Sequence, residues 1–189
     1  MIRMILIRRV VILVASLILP VAARSGDVPR VVVYFPDYRL EKNGAPHFPG
    51  VTHLILFAGS PRPDGSVDFS RVSPELIGMG KRARADSGLK LLVCVGGWVR
   101  SRSFAGAVSS PGSRRRFVDE VARFCIENQL DGVDIDWEFP KSDPERNDFT
   151  SFLGLLSGEM RPRGLLLSVA VSSSYPLPEE ALRFVDQVN

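Results

Sequence analysis

Short, mostly apolar runs alternate along this chain with longer amphipathic segments, and that alternation constrains the fold more than any other feature. The runs fall at 30–35, 52–58, 90–95, 132–138 and 165–172. Near-continuous hydrophobicity is what strands covered on both faces require, so the pattern predicts repeated βα units around a parallel sheet. Between the runs, Ser73-Pro74 supplies an N-cap and a proline at the first helical position, predicting a helix to about residue 86. Ser113 is expected to open a second helix to residue 128, with Phe117, Val121, Phe124 and Cys125 at spacings of three and four. Asp143-Pro144 repeats the cap-then-proline signal before a helix carrying Phe149, Phe152, Leu153, Leu156 and Met160. A short helix is expected over 179–185, whereas the connection 36–50 is rich in Pro and Gly and has no helical period.

A closed (β/α)8 barrel typically takes about 250 residues and at least about 200. The 189 residues here supply about five units and reach Val188-Asn189 where a sixth strand is expected to begin. An open five-stranded sheet leaves strand edges unpaired, so residues 24–189 alone are expected to be poorly stable.

The first residues read as an export signal. Arg3, Arg8 and Arg9 form a basic n-region, residues 10–19 an apolar core and Val21-Ala22-Ala23 a small-residue cleavage site. Residues 1–23 are therefore expected to be a signal peptide and 24–189 the mature chain, secreted or periplasmic. The apolar run contains Pro20 and falls short of the roughly 18 to 20 residues a bilayer span needs, so no membrane association is expected after cleavage. Of the 24 basic residues three lie in this leader, leaving 21 against 21 acidic ones, a balance that does not support a nucleic-acid partner. The compact run Arg114-Arg115-Arg116 is expected to be a solvated helix face. Cys94 falls in an apolar strand and Cys125 in a helical stripe, which suggests two buried free thiols rather than a disulfide.

The chemistry-bearing stretch runs from Leu130 to Pro140. Strand alternation puts Asp134, Asp136 and Glu138 on one face and Val133, Ile135 and Trp137 on the other. Carboxylates spaced roughly 6.6 Å apart along a strand cannot all stay ionised cheaply where they are partly buried, so at least one is expected to hold a proton near neutral pH. Glu138 stands at the C-terminal end of its strand, where parallel α/β folds place their chemistry, and is the natural proton donor. A solvated acidic face is the plainer alternative. A divalent metal site is a third, disfavoured because no His accompanies the carboxylates and successive layers of one strand converge poorly on one ion.

Asp131-Gly132-Val133-Asp134-Ile135-Asp136-Trp137-Glu138 resembles the D-x-x-D-x-D-x-E motif of glycoside hydrolase family 18, the chitinases and their relatives, at every fixed position. Cys94-Val95-Gly96-Gly97-Trp98 is similar to that family's S-x-G-G segment followed by its tryptophan, with Cys94 departing from the serine. Tyr34-Phe35 and Phe57-Ala58 are similar to the family's aromatic positions on its first two strands. The resemblance covers about residues 30–189.

It implies a TIM-type (β/α)8 barrel, here truncated to about five units, which hydrolyses β-1,4 bonds next to N-acetylglucosamine in chitin or a related polysaccharide. Glu138 would protonate the glycosidic oxygen, Asp136 would orient the substrate acetamido group and Asp134 would support Asp136 from below. The handling of substrate is the substrate-assisted, retaining type in which the sugar's own N-acetyl oxygen is the nucleophile; it needs neither cofactor nor metal. Tyr34 and Cys94 would contact Asp134, and a thiol is a weaker donor there than a hydroxyl. Trp98, Tyr34 and Phe57 would also line the sugar site, Trp98 having a core position as its plainer alternative, and Gly97 would allow close backbone approach. An inactive truncated chain, or a carbohydrate-binding lectin-like relative, is the competing expectation; retention of Glu138 favours the enzyme.

Overall fold

The computed structural model describes residues 29–40 and 46–189; the expected signal peptide lies outside the described residues. Strand β1 (Val32–Pro36) leads to β2 (His53–Pro61), which turns back into a short antiparallel strand, β3 (Val67–Asp68). Helix α1 (Pro74–Ser87) returns the chain to β4 (Lys90–Gly96), and α2 (Phe104–Ser109) with α3 (Pro111–Glu127) returns it to β5 (Gly132–Asp136). Helix α4 (Asp143–Met160) precedes β6 (Leu166–Val169), and the one-turn α5 (Glu179–Leu182) precedes β7 (Gln187–Val188). The sheet order is β1-β2-β4-β5-β6-β7 with every neighbouring pair parallel. Because each crossover returns to the adjacent position and never reverses, the sheet curls in one sense and becomes a half-barrel of the TIM type. Its curl carries the Arg30 side chain across to the Asp186 carbonyl, 3.1 Å away.

Capping explains where the expected boundaries shift. Helix α3 opens at Ser110, not Ser113: the Ser110 hydroxyl accepts the Ser113 N–H at 3.2 Å and Pro111 takes the first helical position. Helix α4 is capped by Ser142 rather than Asp143, through a capping box in which Ser142 and Glu145 each accept the other's backbone N–H. Asp143 then lies in the first turn, where a negative charge suits the helix dipole. Strand β5 ends at Asp136 rather than at residue 138, and β6 is shorter than expected for the same reason, its partner having ended. Strand β3 and helix α2 were not legible as separate elements. The sixth parallel strand does begin where the chain pattern placed it.

The outward face of the sheet carries the main core. Leu54, Leu56, Leu91, Val93, Val133, Ile135 and Val169 meet Leu76, Phe104, Phe117, Val121, Phe152 and Leu156 from the helices. Burial of each such side chain is worth about 1.5–3 kcal/mol. Trp137 is part of this layer, stacked on Phe104 at 5.4 Å and edge-on to Phe149 at 5.3 Å. Cys94 and Cys125 are free and buried, as expected. The arginine run is not simply solvated: Arg114 reaches Asp148 and the Val108 carbonyl, Arg115 pairs with Asp119 and Glu159, and Arg116 pairs with Asp64.

Candidate active site

Alternation along β5 sends Val133 and Ile135 outward and Asp134 and Asp136 inward, with Glu138 just beyond the strand end. Asp134 is the deepest, with no exposed surface. Its Oδ2 accepts the Tyr34 hydroxyl at 2.9 Å, and its Oδ1 accepts the Ser168 hydroxyl at 2.5 Å and the Asn189 side-chain N–H at 2.9 Å. Burial pushes the Asp134 carboxyl above its ordinary range, and these donors, with the Cys94 thiol, work against the push. The same burial raises the Tyr34 phenol and the Cys94 thiol, and the Asp134 charge raises both further. Cys94 faces Asp134 directly across the β4–β5 register.

Asp136 sits one layer higher and is 9% exposed. Its carboxyl is pushed up to about 7, first by burial, then by the charges of Glu138 and Asp134 and by a hydrogen bond to Glu138. Asp136 is thereby poised to take up or give off a proton near neutral pH.

The end of β4 is built to approach β5 closely. Gly96 and Gly97 have φ of 113° and 96°, and a Cβ on Gly96 would fall 2.0 Å from the Asp136 carbonyl oxygen. Only glycine adopts such angles readily. The Gly97 N–H donates to that carbonyl at 2.8 Å. Buried Ser101 completes the junction: its hydroxyl lies 2.8 Å from the Asp136 carbonyl and 3.0 Å from the Gly97 carbonyl, and accepts the Glu138 N–H at 3.0 Å.

Above this floor opens a cleft of about 450 Å³ lined by Tyr34, Phe57, Trp98, Asp136, Glu138, Phe139, Asn189 and the β6 exit at 170–172. Trp98 is 77% exposed, so it is a rim residue and not a core one. Phe57 packs under Gly97 and is covered by the Arg100 guanidinium at 5.5 Å, while Phe139 stacks on Tyr175 at 4.7 Å. Every residue expected at the site is thus brought together, with Asp134 beneath the cleft rather than lining it. Among the described residues no group of three or more His, Cys, Asp or Glu side chains is placed to share a metal ion.

Residues 30–189 match the family model Glycosyl hydrolases family 18. The chain belongs to that family. Over 98 residues it is 38% identical to Probable chitinase 10 of Drosophila melanogaster, covering 46% of this chain and 4% of that protein. Over 179 residues it is 26% identical to a chitinase-like effector of Moniliophthora roreri, covering 88% of this chain and 43% of that protein. The crystal structure of Ostrinia furnacalis Group IV chitinase in complex with allosamidin superposes with a TM-score of 0.70 at 26% identity, over 84% of this chain and 49% of that one. The chain spans under half the length of these relatives. As a family 18 domain it is chitinase-like, and among its described residues no helix is long and apolar enough to cross a membrane.

Three residues of this family 18 site escaped the sequence reading. Ser168 is the polar interruption of an apolar strand, level with Asp134 in the β5–β6 register, and its inward phase was the available signal. Ser101 and Asn189 left none, because a lone serine or asparagine at a strand exit has no period to betray it. The first motif aspartate, Asp131, stands apart at the opposite end of β5. Burial works to raise its carboxyl, but the Leu91 N–H, Arg84 and Lys90 hold it below the usual range, a clamp on the strand's start.

Proposed function

We propose that the protein hydrolyses β-1,4 glycosidic bonds adjoining N-acetylglucosamine, in chitin or a related glycan, with retention and with the substrate's acetamido group as nucleophile. Glu138 donates its proton to the glycosidic oxygen as the C1–O bond breaks. The acetamido carbonyl oxygen bonds to C1, held in place by Asp136, and a water then attacks C1 while Glu138 takes back a proton. Asp134 supports Asp136, Trp98, Tyr34 and Phe57 receive the sugars, and Gly97 lets them approach the backbone.

One observation carries this reading: among the described residues the carboxylates that line the cleft are Asp136, the last residue of β5, and Glu138, two residues beyond it. A retaining enzyme with its own nucleophile needs a second carboxylate about 5 to 5.5 Å across the bond, and an inverting one about 6.5 to 9.5 Å. The allosamidin bound in the Ostrinia relative is consistent with a sugar-like ligand in this cleft. The proposal includes export, with cleavage after Ala23, which the mature N-terminus determined by mass spectrometry tests.

Defined oligosaccharides test the chemistry. Cleavage is expected after N-acetylglucosamine, with retained configuration, and not after glucosamine in the same position. Equal cleavage after both, or inverted products, overturns the acetamido nucleophile; binding without any cleavage supports the carbohydrate-binding alternative instead.

A further inference from the structure

We propose that Ser168 and Asn189 are positioning residues for this reaction, holding Asp134 as the anion so that the proton of the carboxylate stack stays with Asp136 and Glu138. The inference rests on the function proposed above but concerns residues that reading does not use. Asp134 has no exposed surface, and burial alone would protonate it. What opposes this is a set of donors from three other strands. Tyr34 comes from β1, Ser168 from β6, and Asn189 directly follows β7; the last two converge on Oδ1. A carboxylate receiving several such bonds is favoured in its charged form.

The direction of each bond is determined locally. The Asn189 side-chain oxygen accepts from Gln187, which turns the amide nitrogen toward Asp134 and identifies the amide orientation. That nitrogen also donates to the Tyr34 oxygen at 3.1 Å, so the phenol's own proton is left for Asp134. Cys94, from β4, adds only a weak thiol donor. Among the described residues the titratable groups bearing on Asp134 are therefore Tyr34, Cys94 and, on its own strand, Asp136, which in turn meets Glu138 beyond the strand end, with Arg100 the cation acting on Cys94. An anion beneath Asp136 makes a second ionisation costly. The Asp136–Glu138 pair keeps a proton to hand to the leaving oxygen.

Ser168→Ala and Asn189→Leu test this in the full-length protein. Loss of a donor lets Asp134 take up the proton, so the Asp136 midpoint should fall from about 7 and the alkaline limb of kcat should move to lower pH. Since hydrogen bonds to charged groups are among the stronger ones, kcat at pH 7 should drop on the order of tenfold, with KM nearly unchanged in Ser168→Ala, whose side chain does not line the cleft. Ser168→Thr, which keeps a hydroxyl, should restore the limb; Ser168→Cys replaces Ser168→Ala should the latter not fold. A lower melting temperature with an unmoved pH profile makes the two residues merely structural and overturns the proposal. Carboxyl-carbon NMR titration of Asp136 separates the two claims. If the wild type cuts no N-acetylglucosamine oligomer, the functional reading fails, while a moved Asp136 midpoint in the variants still upholds the network and an unmoved one still sinks it.

Discussion

The two faces of the same curled sheet differ in kind. Outward, strands β2, β4, β5 and β6 present leucine, valine and isoleucine to five helices, and that layer excludes polar groups almost completely. Inward, the apolar residues are few, Ile55, Ala58, Leu92 and Cys94, and they share the lumen with Asp134, Asp136, Ser168 and the Tyr34 phenol. The outer face gains stability by removing apolar surface from water. The inner face gives some of that up by burying carboxyls, which is tolerable only because each is hydrogen-bonded. Alternation lets one strand serve both faces, so residues one apart in sequence have opposite duties: Ile135 holds the fold and Asp136 perturbs it.

The largest expected effect lies on the inner face. Glu138→Gln keeps the shape of the cleft and removes the proposed proton donor, and general acid catalysis contributes about 10² to 10⁴-fold. Turnover of N-acetylglucosamine oligomers by the full-length enzyme should fall at least that far with binding retained. Near-wild-type turnover places the acid elsewhere. On the outer face, Phe152→Ala empties the contact with Phe117, whose ring centroid is 4.6 Å away, and should cost about 3–5 kcal/mol in denaturant unfolding. Activity per folded molecule should not change; a loss of kcat in the folded protein would blur the division between faces.

Gly97→Ala joins the two. Its φ of 96° disfavours any side chain, and the new Cβ would lie 2.3 Å from the Phe57 ring. The backbone cost alone is about 1–2 kcal/mol, and both stability and sugar affinity should suffer, the latter measured by calorimetry. A variant as tight-binding as the wild type shows that Phe57 is free to move.

Asp136→Asn tests whether the inner face is a burden. Below about pH 4, wild-type Asp136 is protonated whether folded or unfolded. Between there and about 7 the unfolded chain loses its proton while the folded one retains it, so folding stability falls as pH rises. The melting temperature of the variant relative to wild type should rise over that window and level off above it. A difference that grows toward acid pH contradicts the sign. The smallest stability effect is expected at exposed Trp98: Trp98→Ala should alter unfolding by no more than about 0.5 kcal/mol, yet weaken binding of N-acetylglucosamine oligomers. A large loss of stability would return Trp98 to the core.

Local signals on the chain determined a good deal of this protein. The parallel βα order, the inward phase of Asp134, Asp136 and Glu138, the outward phase of Trp137, and the helical stripes at Phe117 and Phe152 all follow from period and from burial, which act over a few residues. Cap positions slipped by one to three residues because serines at 110, 113 and 142 compete on similar terms, and backbone hydrogen bonding decides among them. Tertiary structure alone decided which groups meet Asp134. Tyr34, Ser168 and Asn189 lie 100, 34 and 55 residues away along the chain. Their convergence depends on the curl of the sheet, a cumulative result of strand twist and crossover packing, and no short stretch of sequence carries it.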